Sequence, residues 1–366
     1  MKKGKNTGKD KEKGKAVVIP TEEDNLVIHQ EQNKTKKFID RHLYHLLSGI
    51  FLAGFIIFGS MFLYESVLQP YFSRKAIEKT KELYLPEAIT ATPTPVTDMA
   101  EEDTPVYAKD ITRDEQGRLL QFSDLLRVNP DVKGWISIPD SNIDYVVMQT
   151  EDKDQEYYLH HNMFRQDDKA GCLFLDQNAS VEYNSQNLTI HGHNMTSTNN
   201  MFHYLMKFKD LDYYKERPVF TFDTLFQKGQ WKIFSVFFTN GSSKKEPVFD
   251  YTKANFSDSS DFLNFVYQLR IRSIYKLDTV DVNEKDQLLT LSTCTYEVKD
   301  YRLVIVARKV RDGEDPAVAV DSVTENQEPY YPYTWYYRFG GKAPELPATF
   351  EEALSQGQAK WYTPVE

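Results

Sequence analysis

The stretch Leu288–Val310, LLTLSTCTYEVKDYRLVIVARKV, holds two runs of strand-forming residues separated by a short polar loop. The first run ends at Cys294 and the second opens at Arg302. Leu, Val, Ile and Thr dominate both, as pleated and half-buried strands require. Strands joined by so short a loop lie side by side, with the end of one beside the start of the next. A thiol and a guanidinium are therefore expected to face one another across the rim of a sheet.

Working outward, short apolar segments recur with turn signals between them. Strands are predicted at Trp135–Ile138, Ile143–Met148, Cys172–Leu175, Leu188–His191, Val219–Phe222, Trp231–Phe238, Leu288–Ser292 and Arg302–Val310. Eight strands with few helical interruptions imply a mainly β fold, closed into a barrel because closure removes exposed edges. Two helices interrupt the series. One starts near Asn200, with Met201, Leu205 and Phe208 at helical spacing, and the other runs over about 260–275, with Phe262, Phe265, Val266 and Leu269 on one stripe. A short helix is expected earlier, at Ser123–Val128, with Ser123 as its N-cap and Asn129-Pro130 as its stop.

A free thiol is only a few per cent ionised at neutral pH, and a nearby imidazolium or guanidinium raises that fraction. An imidazolium also protonates a leaving amine, which Arg does not do. Arg's planar fork suits a different task, donating to a carbonyl oxygen as it becomes an oxyanion. Acyl transfer at Cys294 thus asks for one His beside Arg302. LTIHGHNM, Leu188–Met195, supplies it: His193 follows a strand and Gly192 and opens a polar loop, whereas His191 lies within the strand.

The net charge of -10 is uneven: residues 1–42 carry eleven Lys/Arg against seven Asp/Glu, or +4, leaving -14 for the remainder. That remainder repels phosphates, so no nucleic acid is expected as a partner. Leu43–Tyr64 contains no Asp, Glu, Lys or Arg. At about 1.5 Å per residue it spans a hydrocarbon layer of roughly 30 Å. The long basic region before it and the lack of an A-x-A site after it favour an uncleaved anchor over a signal peptide. Positive charge on the N-terminal flank places residues 1–42 in the cytoplasm and everything after Tyr64 outside. Residues 65–110 form a stalk, helix-compatible and charged at first (SRKAIEKTKEL) and then Pro/Thr-rich (ATPTPVT), before a globular domain over 111–311. Residues 312–366 carry ten acidic and three basic residues and the aromatic run PYYPYTWYYRF.

Cys172 and Cys294 are the two cysteines, with no CxxC or Cys/His spacing for zinc or thioredoxin-like chemistry. His191 and His193 could share one side of a strand as a metal pair; no third ligand is evident, though His160, His161 and His203 are candidates, and no metal or cofactor is expected. Cys172 reads as a small core residue. Arg308, in the strand of Arg302, reads as part of a solvated face. The aromatic run reads as a packing tail over the barrel, with a partner-binding surface and a lid as the other readings.

TLSTC at Thr290–Cys294, with Arg302 opening the next strand, resembles the TLxTC signature and arginine of the sortases, and GHNM at Gly192–Met195 resembles their histidine motif. NPDVKGWISIP at Asn129–Pro139 and the helix at about 260–275 are similar to class B sortases. The resemblance covers roughly residues 115–311. It implies a closed eight-stranded sortase-type barrel outside a Gram-positive cell, with Cys294 as nucleophile, His193 as acid/base partner and Arg302 as cationic stabiliser. It implies a substrate, a secreted protein with a C-terminal sorting signal, and an acceptor, an amine of peptidoglycan or, in pilin-polymerising relatives, a subunit lysine. Ser292 matches a position that contacts the sorting signal in class B members. Two features depart from the family: Cys172, where a small residue such as Ser is usual, and the C-terminal extension. An inactive sortase-like wall-binding protein and a hydrolytic cysteine protease are the competing functions.

Overall fold

The computed structural model of the chain describes residues 21–84, 113–151, 154–244 and 246–365. The Lys/Gly run at the N-terminus and the ATPTPVT linker lie outside these residues. The chain divides into two units, Met1–Val67 and Leu68–Glu366.

The first unit is built on α1, Glu22–Leu63. Thr21 caps it: its hydroxyl accepts the Asp24 N–H while the Asp24 carboxylate accepts the Thr21 N–H. The helix therefore begins well before the apolar run that opens at Leu43. None of its side chains is buried, and Phe51, Phe58 and Phe62 project outward. Among the described residues this is the one helix long and apolar enough to cross a membrane. A π-helical turn, Tyr64–Leu68, follows.

In the second unit α2, Gln69–Leu83, lies against the barrel. Its Lys81 Nζ is 2.7 Å from Asp144 Oδ2, its Ser73 hydroxyl donates to Asp168, and Tyr84 stacks on Trp135 with ring centroids 4.2 Å apart. The first part of the segment read as a stalk is thus helix packed on the barrel.

The expected mainly β barrel is present, closed by eight strands: β1 Val132–Ser137, β2 Asp144–Met148, β3 Leu173–Leu175, β4 Asn187–Gly192, β5 Val219–Thr224, β6 Gln230–Asn240, β7 Leu288–Cys294 and β8 Tyr301–Lys309. Their order around the barrel is β1-β2-β3-β4-β7-β8-β6-β5 and back to β1. β4 and β7 pair in parallel, and β7 and β8 antiparallel. Alternation sorts the side chains. Leu188, Ile190, Leu289, Leu291, Leu303 and Ile305 fill the interior, while Leu288, Val304 and Val306 face out against a second core.

The helices are partly as expected. α3, Ser123–Val128, ends at Asn129, but Ser123 is not its N-cap. A 3-10 turn, Leu120–Phe122, leads directly into it, so Phe122 holds the cap position and no side chain caps the helix. The segment from Asn200 does not open as an α-helix. Asn200–Met201 pairs with Asn194–Met195, Met201 has φ 55°, and the chain then winds as 3-10 helix over Phe202–Lys209 before α4, Leu211–Glu216. α5, Ser259–Arg272, is capped by Asp258 and presents Phe262, Val266 and Leu269 to the outer face of the barrel.

The acidic extension is built into this unit. Thr324–Glu325 pairs with Tyr275–Lys276, α6 spans Tyr333–Phe339, and α7 spans Phe350–Ser355. Phe350 and Trp361 join the core of α5, and Trp335 stacks on Phe238. Arg308 is not on a solvated face; it is 0% exposed, with Nη1 and Nη2 each 2.7 Å from the Glu314 carboxylate and Nη2 3.2 Å from Asp281. Lys232 Nζ also donates to Glu314.

Burial alone would raise the Glu314 carboxyl, but bonds from Arg308, Lys232 and the Arg311 N–H hold it well below its ordinary 4.5. Removing one partner of a buried ion pair leaves the other charge uncompensated. Glu314→Gln is expected to lower stability at neutral pH by about 3 kcal/mol, measured by urea denaturation. Because the folded value is depressed, this contribution is present above pH 4.5 and is lost as pH falls below it, so the two proteins should converge in acid.

Candidate active site

β7 carries Thr, Leu and Ser in strict alternation with the inward leucines, so Ser292 and Cys294 face outward. The antiparallel register sets Cys294 directly opposite Arg302. Directly opposed residues have Cβ atoms about 4.5–5.5 Å apart, within side-chain reach. On the other side, the parallel register sets Ser292 beside His191 and Thr293 beside Gly192. His193 follows Gly192 directly, just past the end of that ladder. The sulfur, the imidazole and the guanidinium all line one cleft of about 340 Å³. The cleft runs along the outer wall at the strand ends, not into the barrel.

Local constraints hold this arrangement. A Cβ at Gly192 would lie 2.3 Å from Leu173 Cδ2 and 2.9 Å from Phe202 Cδ2, so any larger residue would push these two buried side chains aside where the chain leaves β4 for His193. A Cβ at Gly241 would lie 3.2 Å from Arg302 Cζ, so glycine there leaves room for the guanidinium. Thr293 Oγ1 donates to the Gly192 carbonyl at 2.9 Å. Beyond that point the ladder stops, and Asn194 takes over: its Nδ2 donates to the Cys294 carbonyl at 3.0 Å. His203 Nδ1–H donates to Asn194 Oδ1 at 2.7 Å, which orients the amide. Asn194 stands in the quoted GHNM motif, yet its tie to Cys294 crosses 100 positions, and no local pattern signals it.

Each candidate has a definite setting. Cys294 is a free thiol, half-buried, and open to the cleft. His193 Nε2 is 3.0 Å from the Leu159 carbonyl; a carbonyl only accepts, so Nε2 carries the proton and Nδ1 keeps its lone pair. Burial pushes the His193 imidazole below its ordinary 6.5, against the Leu159 bond, and the charges of His160 and Arg302 push it further down. Among the described residues no carboxylate pairs with Arg302, and its one hydrogen bond is a 3.5 Å contact to the Tyr301 carbonyl. Its donors are thus available to an oxyanion. Ser292 is 2% exposed and shares a 3.0 Å hydrogen bond with the Tyr251 hydroxyl on the floor of the cleft.

Of the remaining candidates His191 lines the same cleft and Cys172 lies elsewhere. His191 donates from Nε2 to Asp176 at 2.9 Å and is held as a locally bonded strand residue. Cys172 is buried under α2, and burial raises its thiol far above the ordinary range. Among the described residues no group of His, Cys, Asp and Glu is placed to hold a metal ion.

A neutral imidazole, a thiol and an unpaired guanidinium in one water-accessible cleft can carry out acyl transfer. The profile of the family described as "Sortase domain" matches residues 136–310. "Sortase B" of Listeria monocytogenes is 35% identical over 210 residues, covering 56% of this chain and 81% of the relative. "Sortase B" of Staphylococcus aureus is 28% identical over 193 residues, covering 52% and 75%. A Bacillus anthracis crystal structure described as similar to sortase B superposes with a TM-score of 0.51 at 28% identity, covering 66% of this chain and 96% of that one.

Two outcomes follow from the geometry. The His193 imidazole, followed by NMR, should titrate below 6.5, and Arg302→Met should move its midpoint upward by removing a like charge. Asn194→Ala should lower the turnover of a cleaved peptide about tenfold, the equivalent of one lost hydrogen bond at the Cys294 end of β7.

Proposed function

The chain belongs to the sortase family of cysteine transpeptidases, where it is most like the class B members, and we propose that it joins secreted proteins bearing a C-terminal sorting signal to an amine of cell-wall peptidoglycan. The observation that carries this reading is that His193, Cys294 and Arg302 line one cleft, with Cys294 opposite Arg302 in the β7–β8 register and His193 just past the end of β4.

His193, neutral at pH 7, takes the thiol proton as the Cys294 sulfur attacks the carbonyl carbon of the scissile peptide bond. The electron pair of that carbonyl moves to oxygen, and Arg302 donates hydrogen bonds to the oxyanion. On collapse the C–N bond breaks, and the imidazolium hands its proton to the leaving amine. A thioester remains on Cys294. The acceptor amine then attacks that thioester, gives a proton back through His193, and expels the sulfur as a thiol. Ser292, with Tyr251 behind it, lies two residues before the nucleophile on the same face and is assigned to contact with the sorting signal.

Anchoring in a single-pass orientation, with residues 1–42 in the cytoplasm and the barrel outside, is supported by α1. Its apolar stretch has a mean hydropathy of 2.3, none of it is buried, and the basic residues crowd its N-terminal flank. On this reading 312–366 is a C-terminal extension of the catalytic domain 111–311.

The test is incubation of the full chain with a sorting peptide and an added amine, read by mass spectrometry. The expected product is the peptide acyl fragment joined to the amine, with Cys294→Ala reducing it by on the order of 10⁴ or more. Release of the free acid alone at saturating amine would identify a protease, and cleavage that survives in Cys294→Ala would remove the thiol from the mechanism.

A further inference from the structure

The aromatic extension takes no part in the acyl-transfer chemistry, yet two of its side chains hold the wall that faces Cys294. After β6 the chain returns past the site, and Val248, Phe249, Asp250 and Tyr251 line the cleft. This wall has little regular structure of its own. Asn240 Nδ2 donates to the carbonyls of Ser242, Glu246 and Pro247 at 3.2–3.3 Å, and Asn187 Nδ2 donates to the Tyr251 carbonyl at 3.1 Å.

The first tie from the extension is at Glu246. Its carboxylate accepts the Thr334 N–H at 3.3 Å and the Thr334 hydroxyl. Since that hydroxyl proton is spent on the carboxylate, Tyr301 donates from its own hydroxyl to Thr334 Oγ1 at 2.6 Å. Thr334 thereby joins the wall to the start of β8, one residue before Arg302. Trp335 locks the helix in place by stacking on Phe238, and Tyr331 stacks on Trp335.

The second tie is at Phe249. The Arg272 guanidinium lies 4.2 Å from the Phe249 ring centroid and 5.0 Å from that of Tyr330, so a cleft-lining ring and an extension ring share one cation. The Tyr330 N–H also donates to the Ile271 carbonyl at 2.9 Å.

We propose that Tyr330 and Thr334 of the extension position the 246–251 wall, and thereby set how tightly the cleft holds the extended peptide segment of its substrate. The proposal rests on the peptide-transferring reading above. The two are positioning residues, since neither reaches the reacting atoms. A wall displaced by about an ångström weakens peptide contacts along its length while leaving Cys294, His193 and Arg302 on their own strands.

The experiment uses the full chain and a fluorogenic peptide selected from a randomised library by binding to it. Thr334→Val removes the hydroxyl at constant shape, Tyr330→Leu removes the ring over Arg272, and the two are combined. The double variant should show KM, or Kd for a peptide bound without cleavage, raised about tenfold, with kcat and the rate of Cys294 alkylation by iodoacetamide unchanged. Thr334→Ser should restore the hydroxyl's share. An unchanged KM or Kd in the double variant overturns the proposal. So does a fall in alkylation and kcat in step with the thermal midpoint, which would make the extension a support of the fold alone. A chain that binds the peptide and never cleaves it counts against the transpeptidase reading, while the Kd comparison still decides this one.

Discussion

The site depends on one pairing, the parallel ladder between β4 and β7. Thr293 and Gly192 are about a hundred positions apart in the chain, and their pairing puts the residues that follow them on the same outward face. The antiparallel β7–β8 hairpin adds Arg302 from the other side through a pairing that is local in the chain. A slip of one residue in either register would turn Cys294 into the barrel or Arg302 away from it. The inward leucines of β7 and the packed ends at Gly192 make such a slip costly, because each would drive large apolar side chains to the wrong face. The geometry of the candidate site is therefore inherited from core packing.

That dependence explains what could be read from the chain. Strand alternation and turn signals are local, so the eight barrel strands were legible segment by segment, and the facing of Cys294 and Arg302 across a rim was legible in Leu288–Val310 alone. The polar His193 loop after an apolar strand was legible for the same reason. Arg308 was misread because alternation reports only that a side chain leaves the interior. It does not report that Asp281 and Glu314 arrive from other elements to cover it. Asn194 escaped assignment because its partner is a distant backbone carbonyl. The 3-10 segment at Phe202–Lys209 kept the apolar spacing of an α-helix, and the hairpin at Asn194–Met201, with φ 55° at Met201, delayed its start.

The acidic balance of residues 312–366 also acquires a physical role. Of its acidic residues Glu314 offsets Arg308 and Lys232, and so ties the start of the extension to two barrel strands. Trp361 and Phe350 cover apolar surface that α5 alone leaves open. The wall near Cys294 is then bounded on one side by the barrel and on the other by chain that lies beyond its last strand. Fold stability and cleft shape are drawn from the same segment, and substitutions there act on both in different proportions.

The most direct measurement of the central claim is a crystal structure of the chain with a peptide electrophile joined to the Cys294 sulfur. The register of β4, β7 and β8 predicts that the adduct oxygen accepts hydrogen bonds from Arg302 and that His193 stands at the leaving-group side, within about 3.2 Å directly or through one water. An adduct whose oxygen points to solvent, with Arg302 engaged elsewhere and His193 out of reach, would contradict the account.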